Sequence, residues 1–406
     1  MDLQRRRYLI SHLSRFQTVR ELQRSQFFAQ CRGEIEAMLG EAQVAHAGWT
    51  EPAERPFIRV AQWNIEKGRR LGRIIEALRS DPVLSAADIL LLNEADRGMN
   101  RSGNVDVAGA VGDALRMHVV FGAAHIELTK GTGEERCVPG ENGESLQGNA
   151  VLSRYPVVDA KVVSLPTCFE PFEFHEKRYG TRNCVWARLK VGQRFVWAGS
   201  THLEVRNTPA CRARQMAYLL ETRPGGAADA CILGGDLNCN GFPRGTFLRT
   251  LLSTARVVKG PPDAIRGQLR HPENGREPLF GAVRRAGFTW QGLNTSEATA
   301  SSSIGNLEDA AFLPKPVVEW VRRRLESHEG YLWFKLDWLF GRNIRPADGA
   351  ALSARSGVRS HDICGPNRIS DHAPIWADFL LPADQPPDTG PTPPQLSRAD
   401  ATGRPE

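Results

Sequence analysis

Apolar runs of strand length that stop at acidic or amide side chains recur along this chain. The run over residues 231–233 is followed by two glycines and then by Asp236 and Asn238, and the run over residues 88–93 leads into Glu94. Such runs are typical of fully buried strands, and a carboxylate at the end of one is costly unless it is exposed, paired or bound to a metal. We therefore expect buried β-strands with polar side chains at their ends, and Glu94 as a cation ligand.

Asp236 and Asn238 lie two residues apart, so in an extended chain their side chains share a face. An aspartate can accept a proton and an asparagine amide can donate hydrogen bonds. Together they could activate a water molecule and hold an anionic oxygen beside it. The alternative is an Asp-Asn turn after a strand, because both residues are common in loops. The choice depends on whether polar residues interrupt other apolar strands in the same way.

Other polar side chains also lie at predicted strand ends. Asn64 and Glu66, two residues apart, can point to one side at the end of the first core strand. Asp337 is the only acid in an apolar strand, and a lone buried carboxylate needs a partner. The segment 370–372, Ser-Asp-His, can supply one. His202 follows another predicted strand, although a single histidine is more often structural than catalytic.

The composition indicates an ordinary globular chain. Of 406 residues, 41% are hydrophobic and 24% are charged, and the apolar runs are far shorter than the roughly 20 residues of a membrane helix. The N-terminal arginines are not followed by a signal-peptide hydrophobic region, so we expect a cytoplasmic protein without a transmembrane segment. Eight cysteines without a CxxC pair indicate reduced thiols rather than a disulfide framework or a zinc site. The net charge of +6 permits an anionic substrate.

The chain divides into three parts. Residues 1–55 are predicted to form an N-terminal helical extension, because apolar residues recur there at helical spacing with arginines between them. We expect this extension to pack on the main body, and contact with nucleic acid or a membrane surface is the alternative role of its basic face. Residues 56–382 are predicted to form the main domain. Residues 383–406, rich in proline and polar residues, are predicted to form a disordered tail.

Hydrophobic periodicity predicts alternating strands and helices in the main domain. The predicted strands cover residues 57–64, 88–93, 147–153, 182–190, 193–200, 231–233 and 334–340. The predicted helices cover residues 71–79, 104–117, 209–220 and 317–325. Residues 255–280 are expected to form a surface loop and residues 296–303 a mobile segment, because of their proline, glycine and small polar residues. Asn149 either lines a site or has a capping or turn role.

Seven segments resemble the endonuclease/exonuclease/phosphatase superfamily, and in chain order they are WNIEKG, LLNEAD, GNAVLSR, STHLE, GGDLN, KLDWLF and SDHAPI. This superfamily includes pancreatic-type deoxyribonucleases, abasic-site endonucleases, deadenylases, neutral sphingomyelinases and inositol-polyphosphate 5-phosphatases. Each segment alone is a weak signal, but all seven in family order make a strong one across residues 57–382. The resemblance implies an α/β fold, a four-layered α/β sandwich in which two packed mixed β-sheets are flanked by helices. The site then lies at one end of the sheets.

The resemblance implies a Mg²⁺ or Mn²⁺ ion at this site. Glu94 resembles the principal ligand, and the implied set is Glu94, Asn64, Glu66 and Asp371, whose oxygen donors suit such ions. The cation would neutralise phosphate oxygens and stabilise charge on the leaving oxygen. Glu66 departs from the branches that have aspartate at this position, so its longer side chain could hold the cation differently.

The resemblance also implies catalytic roles. Asp236 would position or deprotonate the attacking water, and Asn238 would bind a non-bridging phosphate oxygen. His372 would contact the scissile phosphate, with Asp337 fixing its tautomer and favouring its protonated form. His202 would be a second phosphate contact or a general acid. Possible further phosphate contacts, for which salt bridging or a structural role is the alternative, are Asn149, Arg178 and Arg182.

The implied activity is phosphoester hydrolysis. The Thr-His-Leu pattern at His202 is similar to the deoxyribonuclease, deadenylase, sphingomyelinase and inositol-phosphatase branches and unlike the abasic-site endonucleases. We expect a Mg²⁺- or Mn²⁺-dependent phosphodiesterase of nuclease type, with nucleic acid or another phosphodiester as its partner. The alternatives are a phosphomonoesterase or sphingomyelinase-type hydrolase that acts on inositol phosphates or lipids, and a catalytically silent module that binds anions.

Overall fold

The computed structural model describes residues 1–46, 55–174, 176–244, 246–303, 314–325, 331–347, 356–359, 363–364 and 368–380. The tail predicted over residues 383–406 and residues 47–54 of the predicted extension lie outside the described residues. Within the described ranges, every helix is too short or too polar to span a lipid bilayer.

Helices and strands alternate through the described residues. The helices are α1 Leu3–Leu13, α2 Val19–Arg24, α3 Gln26–Gly40, α4 Leu71–Ser80, α5 Val107–Leu115, α6 Pro209–Thr222, α7 Phe247–Lys259, α8 Pro262–Arg270, α9 Leu279–Arg285 and α10 Lys315–Leu325. The strands are β1 Gln43–Ala45, β2 Ile58–Asn64, β3 Ile89–Arg97, β4 His118–Glu127, β5 Leu146–Ser153, β6 Val157–Ser164, β7 Arg178–Gly180, β8 Asn183–Val191, β9 Arg194–His202, β10 Ala230–Asp236, β11 Ala300–Ser303, β12 Tyr331–Phe334, β13 Asp337–Arg342, β14 Arg345–Pro346, β15 Ser356–Val358 and β16 Ile375–Leu380.

The strands form two large mixed sheets and one hairpin. The first sheet has the order β1-β4-β5-β3-β2-β16-β14, with β7 on β4 and β15 on β16. The second sheet has the order β13-β10-β9-β8-β6, and β11 pairs with β12 alone. In the first sheet β2 and β3 are parallel, and in the second β9 and β10 are parallel. The carboxyl ends of these four strands are therefore available to build one site.

The two sheets pack face to face because their central strands are apolar on both sides. In β3, Ile89 and Leu91 enter the core between the sheets, whereas Leu90 and Leu92 enter the core beneath the helices. Successive side chains of a strand point to opposite faces, so this alternation fills both cores. Helices α1 to α5 contribute to the core on the outer side of the first sheet, and α6 and α9 to that of the second. The prediction of a four-layered α/β sandwich is confirmed.

The N-terminal helices contribute to the core of the first sheet. Leu9 and Leu13 of α1 and Ile35 of α3 are fully buried in the same cluster as the outer face of that sheet. A capping box between Thr18 and Glu21 starts α2, because each side chain accepts from the other's backbone N–H. After α3 the chain forms β1, which pairs antiparallel with β4 at the edge of the first sheet. Residues 1–45 are thus packed on the first sheet.

The prediction of a surface loop over residues 255–280 is wrong. Helix α7 continues to Lys259, and α8 begins at Pro262. Proline at the first helical position loses no hydrogen bond, and Ile265 and Leu269, four residues apart, bury one face of the helix. The number of prolines and glycines in this segment does not predict a loop, because a proline at the first position of a helix does not prevent the helix from forming.

Two other expectations also need correction. The segment 296–303, expected to be mobile, contains β11, which pairs with β12 through hydrogen bonds that local sequence does not reveal. The strand predicted over residues 334–340 is two strands, since β12 ends at Phe334 in the hairpin and β13 begins at Asp337 in the second sheet. Asp337 is therefore the first residue of β13, paired with Asp236 at the end of β10, and not an interior strand residue.

The prediction that all cysteines are reduced is wrong for one pair. Cys168 and Cys211 are joined by a disulfide, with Cα atoms 6.4 Å apart and a sequence separation of 43. The other cysteines are free, and Cys184, Cys231 and Cys239 are buried. The disulfide connects the segment after β6 to the first turn of α6. Only the tertiary fold brings these two residues together, so their spacing in sequence gives no signal.

Gly235 lies on β10 against the backbone of the paired strand β9, which generates a test of the fold. Its φ is +155°, and an added Cβ would overlap the carbonyl oxygen of Thr201 on the paired strand. We predict that Gly235→Ala lowers the free energy of unfolding by more than about 2 kcal/mol, because backbone would have to move. Denaturant titration followed by circular dichroism measures this change.

The matched control is Gly267→Ala. Gly267 lies inside α8, where an added Cβ meets no atom within 4 Å. This substitution should raise the free energy of unfolding by about 0.5 to 1 kcal/mol, because alanine is the better helix former. Equal effects of the two substitutions would contradict the close approach of β9 and β10.

Candidate active site

The ends of several strands meet at one edge of the sandwich. Strand register places Asp236, the last residue of β10, directly beside His202 of β9 and Asp337 of β13. In the other sheet, Asn64 at the end of β2 pairs with Asn93 of β3. Parallel strands end on the same side, which is why residues far apart in sequence converge here. The convergence of strand ends that the sequence indicates is present.

Three candidate site residues occupy left-handed backbone conformations. Glu66, Glu94 and Asn238 have φ values of +46°, +58° and +49°. Such conformations cost on the order of 1 kcal/mol or more for residues other than glycine, and they persist only where the surrounding structure enforces them. Of the eight such residues in the described part of the chain, these three and Lys67 line the cavity at this edge.

Glu94 lies in a β-bulge and not at the end of a strand. Strand β3 continues to Arg97, and its register with β5 shifts between Leu92 and Ala95. A bulge re-aims side chains, and here it directs Glu94 into the cavity at the edge of the sheets. The predicted end of this strand at residue 93 is therefore wrong, while the carboxylate is still exposed to the cavity. The Glu94 side chain is 23% exposed.

Asn93 is a buried hydrogen-bonding centre that the sequence analysis did not identify. Its Oδ1 accepts from the Asp236 backbone N–H at 2.8 Å and from Gln62 Nε2 at 3.0 Å. Its Nδ2 donates to Asn149 Oδ1 at 2.9 Å and to Ser200 Oγ at 3.2 Å. These bonds connect the two sheets and fix the backbone that carries Asp236. The available signal was a fully buried amide inside an otherwise apolar strand, which must be hydrogen-bonded.

Asn149 lies behind the cavity wall. It is 2% exposed, and its Nδ2 donates to Asn183 Oδ1 at 2.8 Å. It is not among the described residues that line the cavity. Asn149 therefore accepts a hydrogen bond from Asn93 and helps to position it, and its amide does not face a ligand. Arg178 and Arg182, in contrast, line the cavity.

Asp337 and His372 form a hydrogen-bonded pair. His372 Nδ1 lies 2.8 Å from Asp337 Oδ2, and Gln62 Nε2 donates to the other oxygen at 3.1 Å. Burial lowers the pKa of His372, but the charges of Asp337 and Asp236 outweigh burial and raise it well above its ordinary value. These charges favour the protonated form of His372, whose Nε2 lies 3.6 Å from Asp236 Oδ2.

Asp236 is the most central carboxyl group of the site. Its Oδ1 accepts from the Asn238 backbone N–H at 2.9 Å, and its Oδ2 accepts from Asn64 Nδ2 at 3.1 Å. His202 Nε2 lies 3.3 Å from the same Oδ2. Burial raises the pKa of Asp236 to about 7, against the opposing charge of His372. A carboxyl group with such a pKa can accept a proton near neutral pH.

His202 has the opposite electrostatic environment to His372. Arg182 Nη1 lies 2.9 Å from His202 Nδ1, and Asn238 Nδ2 lies 3.0 Å from its Nε2. Burial and the positive charge of Arg182 lower the pKa of His202 well below its ordinary value. The surroundings of the two histidines thus act in opposite directions, favouring the protonated form of His372 and the neutral form of His202.

Three carboxylates converge on the cavity beside this centre, those of Glu66, Glu94 and Asp371. Burial raises the pKa of Asp371, and the negative charges of Glu66 and Glu94 raise it further. Carboxylate oxygens are the donors that suit Mg²⁺ or Mn²⁺. The donor types therefore fit a divalent ion, although these three carboxylates do not form a set of ligand atoms within 4.8 Å of one another.

The implied ligands differ in how readily they could hold an ion. Glu66 is bound by arginines, with Arg368 Nη2 at 2.5 Å and Arg70 Nη1 at 3.2 Å. Asn64 presents its amide N–H, and not its oxygen, to Glu94 Oε1 at 3.3 Å. Its Oδ1 accepts from the Glu66 backbone N–H. Glu94 and Asp371 are therefore the better-placed ligands.

A second grouping of ligand atoms lies deeper in the site. Asp236, Asp337 and His372 each offer one atom within 4.8 Å of the others, so these three groups could also hold a metal ion. However, both Asp337 oxygens already accept hydrogen bonds, and the imidazolium of His372 balances the two acids. The geometry of this trio is explained without an ion, and we favour the carboxylates beside it for cation binding.

The cavity has a volume of about 610 Å³ and a strongly polar wall. Its cationic side chains are Lys67, Arg69, Arg178, Arg182, Arg206, Arg244 and Arg368. Acids balance some of them, as where Lys67 Nζ lies 3.1 Å from Glu135 Oε1. A wall with both signs of charge suits a phosphate-bearing substrate together with a cation.

Residues 61–372 match a family model described as the endonuclease/exonuclease/phosphatase family. Among solved structures, the chain is similar to an endonuclease/exonuclease/phosphatase from Beutenbergia cavernae DSM 12333, with 18% identity, a TM-score of 0.48, and coverage of 80% of this chain and 72% of that one. It is also similar to humanized D. rerio TDP2, with 14% identity, a TM-score of 0.43, and coverage of 80% and 99%.

A third similar structure is the human Nocturnin catalytic domain with bound sulfate anion, with 16% identity and a TM-score of 0.42. The similarity covers 84% of this chain and 96% of that one. No curated protein sequence matches the chain. At these identities the structural similarities concern the fold.

A buried carboxyl group beside the site generates a pH-dependent prediction. Glu127 is fully buried, neither of its oxygens has a hydrogen-bond partner, and Arg101 Nη2 lies 3.8 Å away. Burial and the nearby charge of Glu176 raise the pKa of Glu127 to about 8. In the unfolded chain the pKa is about 4.3. Between these values the folded state holds a proton that the unfolded state has released, so stability falls as pH rises.

We predict that Glu127→Gln, which cannot ionise, increases the melting temperature relative to wild type, and that the difference grows as pH rises through this window. Thermal melts at a series of pH values measure the difference. The control is Glu36→Gln, at an exposed carboxylate paired with Arg32. A difference between Glu127→Gln and wild type that is the same at every pH would contradict the raised pKa.

Proposed function

The chain belongs to the endonuclease/exonuclease/phosphatase family, and from that membership we propose that it is a Mg²⁺- or Mn²⁺-dependent hydrolase of phosphodiester bonds, of nuclease type. The single observation that carries this proposal is the arrangement around Asp236. A carboxyl group with a pKa of about 7 faces an imidazolium, His372, and an amide, Asn238, at the wall of one cavity. This arrangement supplies a proton acceptor and two donors for phosphate oxygens.

The proposed reaction is in-line attack of water on phosphorus. The Asp236 carboxylate orients the water and accepts its proton while the oxygen–phosphorus bond forms and the bond to the leaving oxygen breaks. His372 donates from Nε2 to a phosphate oxygen, and Asp337 keeps its proton-bearing ring in place through Nδ1. Asn238 donates from its amide to a second phosphate oxygen. The residues act as a preorganised set, because hydrogen bonds to the two sheets fix their side chains.

Glu94 and Asp371, with Glu66 and Asn64 nearby, are the residues that would hold the cation. The chemistry that a bound Mg²⁺ or Mn²⁺ supplies is neutralisation of charge on the phosphate and on the leaving oxygen. Asn64 also contributes without the ion, because its amide donates to both Glu94 and Asp236 and so couples the two acids. The proposed catalytic unit spans residues 56–382.

The cationic wall favours a polyanionic substrate such as nucleic acid. Arg178, the first residue of β7, and Arg182, just before β8, both line the cavity, and Arg182 contacts His202. Phosphates that flank the cleaved bond would contact these arginines. Binding that depends on such contacts weakens steeply with salt, because counterions are released from the polyanion.

The first test of this function uses bis(p-nitrophenyl) phosphate with Mg²⁺ or Mn²⁺. We predict that Asp236→Asn and His372→Gln each lower kcat by about 100- to 10,000-fold, as expected for positioned acid–base groups. The matched controls are Asp159→Asn on β6, where the side chain is exposed, and His12→Gln on α1, where it is half-buried, and neither residue lines the cavity. Circular dichroism establishes that each variant is folded. Wild-type turnover in either site variant would overturn the assigned roles.

The second test concerns the cation. We predict that chelation abolishes hydrolysis, that Mg²⁺ or Mn²⁺ restores it, and that Glu94→Gln raises the metal concentration for half-maximal rate by about 10- to 100-fold. The control is Glu36→Gln, which should keep the wild-type metal dependence. Hydrolysis that is unaffected by chelation would contradict the cation site.

The same preparation should be assayed with single-stranded DNA, duplex DNA, RNA, inositol phosphates and sphingomyelin. Cleavage of nucleic acid that falls steeply with salt supports the proposed substrate class. Hydrolysis confined to inositol phosphates or lipid would instead support a phosphomonoesterase or sphingomyelinase-type enzyme. Binding without turnover would indicate a silent anion-binding module.

A further inference from the structure

The disulfide between Cys168 and Cys211 joins two segments that lead into the cavity wall. Cys168 lies in the segment after β6, which continues along the chain to Arg178 on that wall. Cys211 lies in the first turn of α6, and Arg206, shortly before this helix, also lines the cavity. Neither cysteine is among the described residues that line the cavity. The covalent bond is therefore placed to constrain the wall without contacting a ligand.

Non-covalent contacts also connect the two segments. Gln215 Nε2 donates to the Pro166 carbonyl oxygen at 3.1 Å. The Arg206 guanidinium lies over the Phe174 ring, with its Cζ 4.0 Å from the ring centroid. Contacts of this kind are individually weak, so they keep one geometry only while the two segments are held close together. The disulfide holds them together, and through Phe174 it helps to position Arg206 at the cavity wall.

The surroundings of the disulfide favour thiolates. Arg214 Nη2 lies 2.6 Å from Cys168 Sγ and 3.4 Å from Cys211 Sγ. Cys211 is also the third residue of α6, where the positive end of the helix dipole lies. A disulfide is neutral, whereas a thiolate is negative. Both features therefore stabilise the product of reduction more than the disulfide, which is typical of reducible disulfides.

The two sulfur atoms differ in access. Cys168 is partly exposed, whereas Cys211 is buried. An incoming thiolate would attack Cys168 Sγ, so that a mixed disulfide forms while the bond to Cys211 breaks. Cys211 leaves as a thiolate, which the helix N-terminus and Arg214 stabilise. A second thiol then displaces Cys168, and the net result is two protein thiols and one disulfide of the reductant.

We propose that Cys168 and Cys211 form a thiol–disulfide exchange site that sets how tightly the cavity wall binds a polyanionic substrate. The reductant is a low-molecular-weight thiol. In the oxidised state Phe174 is held against Arg206, and reduction releases this restraint. The effect on substrate binding rests on the proposed function, whereas the exchange chemistry does not.

The first experiment measures the equilibrium between the disulfide and its thiols. The full chain is equilibrated at mildly alkaline pH in buffers with varied ratios of reduced to oxidised glutathione, its thiols are alkylated, and mass spectrometry quantifies alkylated Cys168 and Cys211. We predict that both become reduced together within this range. Arg214→Gln should lower the equilibrium constant for reduction by about tenfold, the effect expected of one opposite charge beside an ionising group. This change corresponds to about 30 mV.

The matched control is Arg79→Gln, at an exposed arginine of α4, which packs on the other sheet. It removes the same charge and should leave the equilibrium constant unchanged. A pair that stays oxidised at the highest proportion of reduced glutathione would overturn the proposal. An equal constant in wild type and Arg214→Gln would also overturn it.

Kinetics test the effect on the cavity. With single-stranded DNA, reduced wild type and Cys168→Ser should both have a KM at least about 5-fold above that of the oxidised protein, within the usual range of coupling between separate sites. With bis(p-nitrophenyl) phosphate, which has no flanking phosphates, kcat should be the same in both states. Circular dichroism establishes that Cys168→Ser is folded, and reduced wild type gives the same comparison without a substitution.

The control for other thiols is Cys137→Ser, at an exposed free cysteine. Its KM should respond to reduction as that of wild type does. An equal KM for DNA in the oxidised and reduced states would overturn the regulatory role. If neither state cleaves a phosphate ester, the proposed function fails, and the glutathione equilibrium still decides whether the exchange site exists.

Discussion

The hydrogen bond from the Asp236 backbone N–H to Asn93 Oδ1 joins the two sheets at the edge where the site lies. Asn93 belongs to the first sheet, and Asp236 and Ser200, which it also contacts, belong to the second. Because these groups are fully buried, breaking the connection would leave polar atoms without partners, at a cost of about 1 to 3 kcal/mol for each. The apolar core between the sheets holds them together without fixing their relative position along the strands. The hydrogen bonds of Asn93 fix that relative position, and the distances between Asp236 and the residues of the first sheet depend on them.

The site also shows how neighbouring groups assign different tasks to chemically identical side chains. His372 has a carboxylate at Nδ1 and its pKa is raised, whereas His202 has a guanidinium at Nδ1 and its pKa is lowered. Asp337 is held by two hydrogen bonds, while burial brings the pKa of Asp236 to about 7. Pairs of groups whose environments separate their pKa values are typical of acid–base sites. In the proposed reaction this division provides a base at Asp236 and a charged donor at His372.

Local patterns predict several of the strands, whereas the layers of the fold follow from the resemblance to a known family. Apolar runs with polar ends identify β2, β3 and β10, and the segments around Asp236 and His372 mark residues that do converge. The sequence does not predict the bulge that turns Glu94 into the cavity, since a bulge is a property of two paired strands. Nor does it reveal the partners of Gln62, whose contacts come from two sheets. The disulfide and the β11–β12 hairpin escape prediction for the same reason.

The left-handed backbone at Glu66, Glu94 and Asn238 bears on the order in which the molecule assembles. None of these residues favours such a conformation in a short peptide, so the isolated segments would not adopt the geometry that they have in the native state. Only the contacts between the docked sheets, including the amide hydrogen bonds across them, stabilise these residues enough to hold the left-handed backbone conformations. The chemical centre should consequently be among the last parts to become ordered during folding and the first to be lost on partial unfolding. A chain with intact secondary structure but loosened sheets would be compact and nearly native in shape, yet inert.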